Sequence, residues 1–137
     1  QSRGLGDVYK RQVYQLIARF LKDAKPKVEV NDNRIQKVLS HIRKNIYKTV
    51  DIDSLAAISC LSKDHFIRLF KKEVGTTPLQ YINQKKIEKA QLILITEDIP
   101  VKNIAYLLAY EDHSYFNRLF KKITDVTPQQ YRELYKK

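Results

Sequence analysis

The sequence predicts an all-α fold in which two copies of one helical unit are joined by a long helix. A 20-residue segment recurs at an offset of 50 residues, and apolar side chains recur at helical spacing through residues 31–137. The chain contains only 3 Gly and 4 Pro, a composition that disfavours a turn-rich β-sandwich. With 43% hydrophobic residues it has enough apolar side chains to form a core.

The repeat is visible in the letters of the chain. Residues 62–81 read SKDHFIRLFKKEVGTTPLQY and residues 112–131 read DHSYFNRLFKKITDVTPQQY, so that 10 of the 20 positions are identical. Both copies contain the block RLFKK and then the pattern Thr-Pro-x-Gln-Tyr. Two copies of one supersecondary unit are therefore expected.

The amino-terminal segment is expected to stand apart from the repeats. Residues 4–12 resemble a translated sequencing adapter, and residues 1–12 are interpreted as a non-native leader. Residues 13–22 have an amphipathic helical pattern, which suggests the last helix of a preceding sensor or dimerisation domain. A linker around Lys25-Pro26-Lys27 follows, so residues 13–30 are assigned to this remnant and residues 31–137 to a separate domain.

The first repeated unit, residues 51–74, follows a helix predicted over residues 31–46. Asp51 is a candidate N-cap for a short helix, because its carboxylate can accept from unpaired amides of the first turn. Ser62 caps the second helix of the unit, and Cys60, at the end of the short helix, is predicted to be a buried thiol. The stripe that we expect to be buried on the second helix comprises Phe66, Leu69, Phe70 and Val74.

A linker helix is predicted over residues 77–95, and the second unit over residues 100–124. Thr77 and Gln80 predict a capping box, Pro78 suits the first helical position, and the same pattern recurs fifty residues later. At 1.5 Å per residue the linker helix is roughly 28 Å long. In the second unit Asp112 caps the second helix, whose expected buried stripe comprises Phe116, Leu119, Phe120 and Ile123.

A basic second helix set at an angle to a short first helix is the helix-turn-helix arrangement, whose second helix enters the major groove of DNA. The chain carries 26 Lys and Arg against 15 Asp and Glu, a formal net charge of +11 that favours an anionic partner. The recognition helices are predicted over residues 63–73 and 113–124. Their outward residues are the candidate base contacts: Lys63, Asp64, Ile67, Arg68 and Lys71 in the first unit, and His113, Ser114, Asn117, Arg118 and Lys121 in the second.

Each of these residue types has a chemical reason to contact bases. Arginine donates two hydrogen bonds to guanine, asparagine reads adenine, and an apolar side chain such as Ile67 suits a thymine methyl. Asp64, His113 and Ser114 fit equally well as groups that stabilise the start of a helix. Candidate phosphate contacts, which fix register without reading sequence, are Ser62, Thr77, Lys72, Asp112, Thr127 and Lys122.

The second unit, residues 101–132, resembles the signature of AraC/XylS-family transcription regulators. The matching segments are Ile104-Ala105, Ser114-Tyr115-Phe116, Phe120-Lys121-Lys122, Thr127-Pro128 and Tyr131-Arg132, and in the first unit Leu55-Ala56, Leu61-Ser62, residues 68–72, Gly75 and Pro78. The resemblance covers residues 31–137. It implies seven short helices forming two helix-turn-helix subdomains joined by a long linker helix.

The resemblance also implies a function. Members of the family are sequence-specific regulators, usually activators, that bind double-stranded DNA at promoters and contact RNA polymerase. They often act as a homodimer, here through the N-terminal domain expected before residue 31. Two positions depart from the family pattern: Ala109-Tyr110 replaces a Gly-Phe turn and Asp125 replaces a glycine, which predicts strain in both turns.

Other classes of function have less support. The sequence has no glycine-rich phosphate loop, paired-histidine metal motif or nucleophile elbow, so we expect no enzyme, no metal and no cofactor. One cysteine and 3 histidines supply neither a disulfide nor a zinc-finger spacing. No apolar run approaches the ~18 residues that span a bilayer, and a cytoplasmic protein without a membrane partner is expected. The alternative is a basic helical module that binds a membrane surface or another protein without reading DNA.

Overall fold

The computed structural model describes residues 13, 14, 16, 17 and 29–136. The expected leader, residues 1–12, lies outside the described residues, as does most of the segment 13–30. Within the described part, residues 13, 14, 16 and 17 are helical and exposed, and seven helices with defined bounds follow without any strand. They are α1 (Asn33–Lys44), α2 (Ile52–Ser59), α3 (Lys63–Val74), α4 (Pro78–Thr96), α5 (Val101–Leu107), α6 (His113–Thr124) and α7 (Pro128–Tyr135). The predicted all-α fold class is confirmed.

Two separate hydrophobic cores divide the described chain into two subdomains. The first core lies among α1, α2, α3 and the start of α4, and its buried members are Ile35, Val38, Ile42, Leu55, Ala56, Phe66, Phe70 and Ile82. The second lies among the rest of α4, α5, α6 and α7, and comprises Ile87, Ala90, Ile93, Leu94, Ile104, Ala105, Leu108, Tyr110, Phe116, Phe120 and Tyr131. Helix α4 thus contributes to both cores and joins the two subdomains.

Side-chain caps determine where most of these helices begin. Asp51 accepts from the Ser54 backbone amide at 2.8 Å and from the Ser54 hydroxyl at 2.7 Å. These two hydrogen bonds hold the pKa of the Asp51 carboxyl below its ordinary value. Asp112 caps α6 in the same way, accepting from the Ser114 amide at 2.9 Å. The N-caps expected from the sequence are confirmed.

The repeated Thr-Pro-x-Gln-Tyr pattern forms the same structure twice. Thr77 and Gln80 make a complete capping box at the start of α4, and Thr127 and Gln130 make one at the start of α7. The tyrosine that follows each box packs edge-on against the second phenylalanine of the same repeat: the ring centroids of Phe70 and Tyr81 and those of Phe120 and Tyr131 are both 5.6 Å apart. The first motif therefore holds α4 against α3, and the second holds α7 against α6.

Left-handed backbone conformations close the turns around α3 and α6. Ala109 (φ 64°) and Asp125 (φ 69°) both adopt positive φ, so both turns use the backbone conformation that glycine accommodates most easily. Gly75, at the position equivalent to Asp125, has φ 93°. Cys60, at the turn between α2 and α3, is also left-handed, with φ 59°. Its side chain is exposed, so the prediction of a buried thiol is wrong. Cys60 is the C-cap of α2, so the apolar periodicity of that helix does not extend to it.

Candidate nucleic-acid interface

Helices α3 and α6 are equivalent in length, capping and burial. Each has 12 residues and begins after a polar N-cap, Ser62 for α3 and Asp112 for α6. Each turns two phenylalanines into its own core, and all four rings are fully buried. Because the buried side of each helix is fixed by these rings, the opposite side faces solvent and can approach a ligand.

The outward face of each helix presents an arginine at the equivalent position. Arg68 on α3 and Arg118 on α6 are both exposed. Among the residues that the structure describes, neither guanidinium makes an ion pair or a side-chain hydrogen bond. A planar guanidinium with all its donors available can make the bidentate contact that recognises guanine.

Four lysines extend this basic surface along both helices. Lys71 and Lys72 lie in the last turn of α3, and Lys121 and Lys122 lie in the last turn of α6. All four side chains are exposed. Charges at the carboxyl ends of the two helices would attract the phosphates that flank a groove, whichever bases lie in it.

The amino-terminal turns of α3 and α6 differ in chemistry. Lys63 and Asp64 are exposed at the start of α3, and the Lys63 ammonium lies 3.6 Å from the carboxylate of Asp53. At the start of α6, His113 is partly buried and Ser114 is exposed. The two helices therefore present different side chains in their amino-terminal turns.

Besides His113, two more of the predicted base-contacting residues lie less fully outward than the sequence pattern suggested. Ile67 is partly buried and packs against the first core, so its placement away from the buried face is wrong in part. Asn117, at the equivalent position of α6, is also partly buried, and its enclosed Oδ1 finds no hydrogen-bond partner among the residues that the structure describes. Both residues occupy the flank of the helix, because 100° per residue places this position beside the core stripe and not opposite it.

The predicted phosphate contacts other than lysine are engaged in helix caps. Ser62 accepts from the His65 amide at 3.4 Å, and the Thr77 and Thr127 hydroxyls accept in their capping boxes. A hydroxyl that accepts in this way still has its own proton to donate to a phosphate. Asp112 has only acceptor oxygens, so a phosphate contact there would need an intervening water or cation. These four contacts stay predictions.

Lys86 on α4 is the main polar residue that the sequence analysis missed. Its side chain is buried, with 5% exposure. Its Nζ donates to the Lys48 carbonyl oxygen at 2.8 Å and to the Leu108 carbonyl oxygen at 2.6 Å. Burial lowers the pKa of this ammonium to about 8. The signal in the sequence is its spacing: Lys86 lies four residues after Ile82 and four before Ala90, on the apolar stripe of the helix.

Arg132 on α7 was matched to the family pattern without a role. Its guanidinium donates to the carbonyl oxygens of Leu94 at 3.1 Å and Glu97 at 3.2 Å. Lys136 donates to the same Glu97 carbonyl at 2.6 Å and pairs with the carboxylate of Asp98. These cations satisfy carbonyls at the carboxyl end of α4, which holds the linker helix against the last helix.

No group of three or more His, Cys, Asp or Glu side chains in the described ranges is placed to hold a metal ion. None of the described helices is both long enough and apolar enough to cross a membrane.

Comparison with known proteins identifies the fold and the family. Residues 55–134 match the family model described as a helix-turn-helix domain. The chain is 34% identical over 94 residues to the MmsAB operon regulatory protein of Pseudomonas aeruginosa, covering 69% of this chain and 31% of that protein. It is 30% identical over 102 residues to the Arabinose operon regulatory protein of Escherichia coli, covering 74% of this chain and 35% of that protein. The chain therefore spans about a third of the length of these relatives.

A solved structure shows the same architecture. The DNA-binding domain of AdpA, in complex with a target DNA, superposes with a TM-score of 0.71 at 24% identity, covering 74% of this chain and 92% of that one. This likeness confirms the arrangement of two helix-turn-helix subdomains joined by a long helix. The family match extends over more than half of the chain, and the chain belongs to the AraC family of helix-turn-helix transcription regulators.

Proposed function

We propose that this chain is a sequence-specific DNA-binding region that inserts α3 and α6 into adjacent major grooves of a promoter site. The observation that carries the proposal is the pair Arg68 and Arg118, which are exposed and make no ion pair within the described part of the chain, at equivalent positions on two helices whose opposite faces are buried. The AdpA domain of the same fold is bound to a target DNA, which supports the same use of the fold here.

The spacing of the two units suits one face of duplex DNA. Successive major grooves on one face are about 34 Å apart. The 19 residues of α4 extend roughly 28 Å, so this helix can separate the two subdomains by nearly one turn of DNA. One protein chain would then read two half-sites whose centres lie about 10 base pairs apart.

We expect base contacts and phosphate contacts to be made by different residues. We assign base reading to Arg68 and Arg118, with Lys63, Asp64, Lys71, His113, Ser114, Lys121 and the flanking Ile67 and Asn117 completing the two faces. Lys72 and Lys122 would contact phosphates, because their charges lie at the ends of the helices. In this division Arg68 and Arg118 set specificity, and Lys72 and Lys122 set affinity.

The experiment selects duplexes from a random pool with the whole chain and then measures affinity at two salt concentrations. Enrichment of two half-sites about one helical turn apart is expected. Arg68→Ala should weaken binding to the selected site by about 1–3 kcal/mol and relax the sequence at one half-site, and Arg118→Ala should do so at the other. Lys72→Ala should weaken selected and random DNA alike and lower the salt slope by about one.

Arg43→Ala is the matched control, because Arg43 is an exposed arginine on α1 and lies on neither recognition helix. It removes the same charge and should leave the selected sequence unchanged. Equal weakening of selected and random DNA by Arg68→Ala and Arg118→Ala would contradict the division of roles. Failure to bind duplex in a salt-dependent manner would favour the alternative, a helical module that binds a protein or a membrane surface.

The whole regulator would act as a cytoplasmic activator. The two relatives named above are operon regulatory proteins and are about three times as long as the matched region. We infer a sensor or dimerisation domain before residue 31 that forms a homodimer, and a contact with RNA polymerase at the promoter. Transcription in vitro from a promoter carrying the selected site should rise when the full-length regulator is added. Unchanged or reduced transcription would contradict the activator assignment.

A further inference from the structure

The ammonium of Lys86 is a buried cation without an acidic partner. Among residues 29–136 no carboxylate pairs with it, and its polar contacts are the carbonyl oxygens of Lys48 and Leu108, at 2.8 and 2.6 Å. The Tyr110 ring lies beside it, with 5.6 Å between Nζ and the ring centroid. Two carbonyl dipoles and one aromatic face therefore replace the water that an exposed ammonium would bind.

The two carbonyl acceptors belong to different subdomains. Lys48 lies between α1 and α2, just before the first helix-turn-helix unit. Leu108 is the last residue before the left-handed Ala109, in the turn that leads to α6. Lys86 itself lies on α4, between Ile82 of the first core and Ile87 of the second. The side chain of Lys86 thus connects the segment before the first unit with the turn of the second unit.

A second polar contact strengthens this junction. The Tyr110 hydroxyl donates to Oδ1 of Asn83 on α4 at 2.9 Å. Lys86 and Asn83 are three residues apart on the same helix, so both bonds arise from one face of α4. The second subdomain is therefore tied to the linker helix on either side of Ala109.

Apolar packing alone would fix this junction less well. Hydrophobic contacts are non-directional and tolerate small rotations of one body against another, whereas hydrogen bonds lose strength when their angle changes. Each recognition helix is held in its own subdomain by its own core, so the separation of the two helices depends on the junction. The contacts of Lys86 constrain that junction directly on both sides.

We propose that Lys86 is a positioning residue that fixes the relative placement of α3 and α6, and so sets the half-site spacing that the protein accepts. This inference rests on the proposed function, because half-site spacing has meaning only if both helices read DNA. A change of one base pair moves the second half-site by about 3.4 Å and rotates it by about 34°. A junction held by directional bonds would reject such a change.

The first test measures the placement of the helices without DNA. Spin labels are attached to the full chain at Lys72→Cys and Lys122→Cys in a Cys60→Ser background, and the distance between them is measured by pulsed electron resonance. Lys86→Met keeps an unbranched apolar stem and removes the donors, and Lys86→Arg keeps donors. Lys85→Met is the matched control, since Lys85 lies on the same helix and its ammonium contacts Glu88, at 3.2 Å, and the Tyr81 ring, at 5.5 Å from the centroid, both of them on α4.

A single narrow distance distribution is expected for the unmodified chain, Lys85→Met and Lys86→Arg. Lys86→Met should broaden or shift the distribution while circular dichroism shows unchanged helix content. An unchanged narrow distribution in Lys86→Met would overturn the inference. If Lys86→Met does not fold, Lys86→Gln takes its place; its side chain is too short to bridge the two carbonyl oxygens, and it should broaden the distribution in the same way.

The second test measures affinity for duplexes whose two half-sites stand at the selected spacing or one base pair closer or farther. The unmodified chain should discriminate against the altered spacings by about tenfold. Lys86→Met should lose most of this discrimination, and its affinity for a single half-site should change less than twofold. Full discrimination retained by Lys86→Met would overturn the inference and leave the proposed function intact. An unmodified chain that reads one half-site would instead overturn the proposed function, and the spacing role with it.

Discussion

Replacing Ala109 with glycine should stabilise the protein. Ala109 is held at φ 64° in the turn that precedes α6. A residue with a Cβ in this conformation costs roughly 1–2 kcal/mol relative to its preferred region, because Cβ approaches the following carbonyl oxygen. Glycine removes that cost but increases the conformational entropy of the unfolded chain, which offsets about 0.5–1 kcal/mol of the stabilisation. The expected gain in the free energy of unfolding is therefore about 0.5–1 kcal/mol.

The assay is urea and thermal unfolding of the full chain, monitored by circular dichroism. For a domain of about 100 residues a gain of this size corresponds to a rise in Tm of about 4 °C. Ala57→Gly is the matched control, because Ala57 is exposed within α2 and has ordinary helical geometry. There the same substitution should lower the free energy of unfolding by about 1 kcal/mol.

The comparison is decisive because the two substitutions are chemically identical and opposite in expected sign. A loss of stability in Ala109→Gly similar to that in Ala57→Gly would refute the reasoning that the turn is strained. Affinity for the selected DNA should stay within about twofold in Ala109→Gly, since the core that holds α6 is unchanged.

Three further outcomes follow from the structure. Burial lowers the pKa of Lys86 to about 8 from 10.5 in the unfolded chain, so the unfolded chain binds more protons above pH 8 and stability should rise by about 2 kcal/mol between pH 8 and 10. Burial raises the pKa of Tyr110, so above pH 10 the folded chain binds more protons at this residue and stability should fall again. Urea unfolding measured across this pH range checks both the rise and the fall. An equal rise between pH 8 and 10 in Lys86→Met would contradict the assignment of that rise to Lys86. Phe120→Ala should lower the free energy of unfolding, measured by chemical denaturation, by about 3–5 kcal/mol, because its ring is fully buried. A loss below about 1 kcal/mol would contradict this prediction and indicate that the surrounding side chains fill the cavity. Thr127→Ala should cost about 1 kcal/mol through loss of the cap on α7, with Thr127→Ser as the control that keeps it, and equal stability of the two variants would contradict the capping role.

Local chemistry let the sequence predict most of the fold. The caps at Asp51, Thr77 and Asp112 depend on a side chain and an amide two or three residues away, so their partners are readable from the letters. The buried phenylalanines of α3 and α6 follow from helical spacing, and their recurrence at a fixed offset identifies two copies of one unit. The outward placement of Arg68 and Arg118 follows from the same periodicity.

Positions at the margins of these patterns were predicted less well. Ile67 and Asn117 lie beside the core stripe, where the periodicity cannot say whether a neighbouring helix covers them. Cys60 lies where a helix ends, and the periodicity of the helix no longer applies to a residue in left-handed conformation. Both errors concern side chains whose surroundings are set by another element.

The helices, their caps, the two repeated units and the exposed basic faces can be predicted from the amino-acid sequence, because each follows from residue types and their spacing along the chain. How the two units are held together depends on contacts that form only when the chain folds. Lys86 meets Lys48 and Leu108 across 38 and 22 residues, and Arg132 meets Leu94 across 38. A lysine in an apolar stripe has no local partner that the sequence reveals; its acceptors are backbone carbonyls, which every residue carries, and only folding selects which of them it meets.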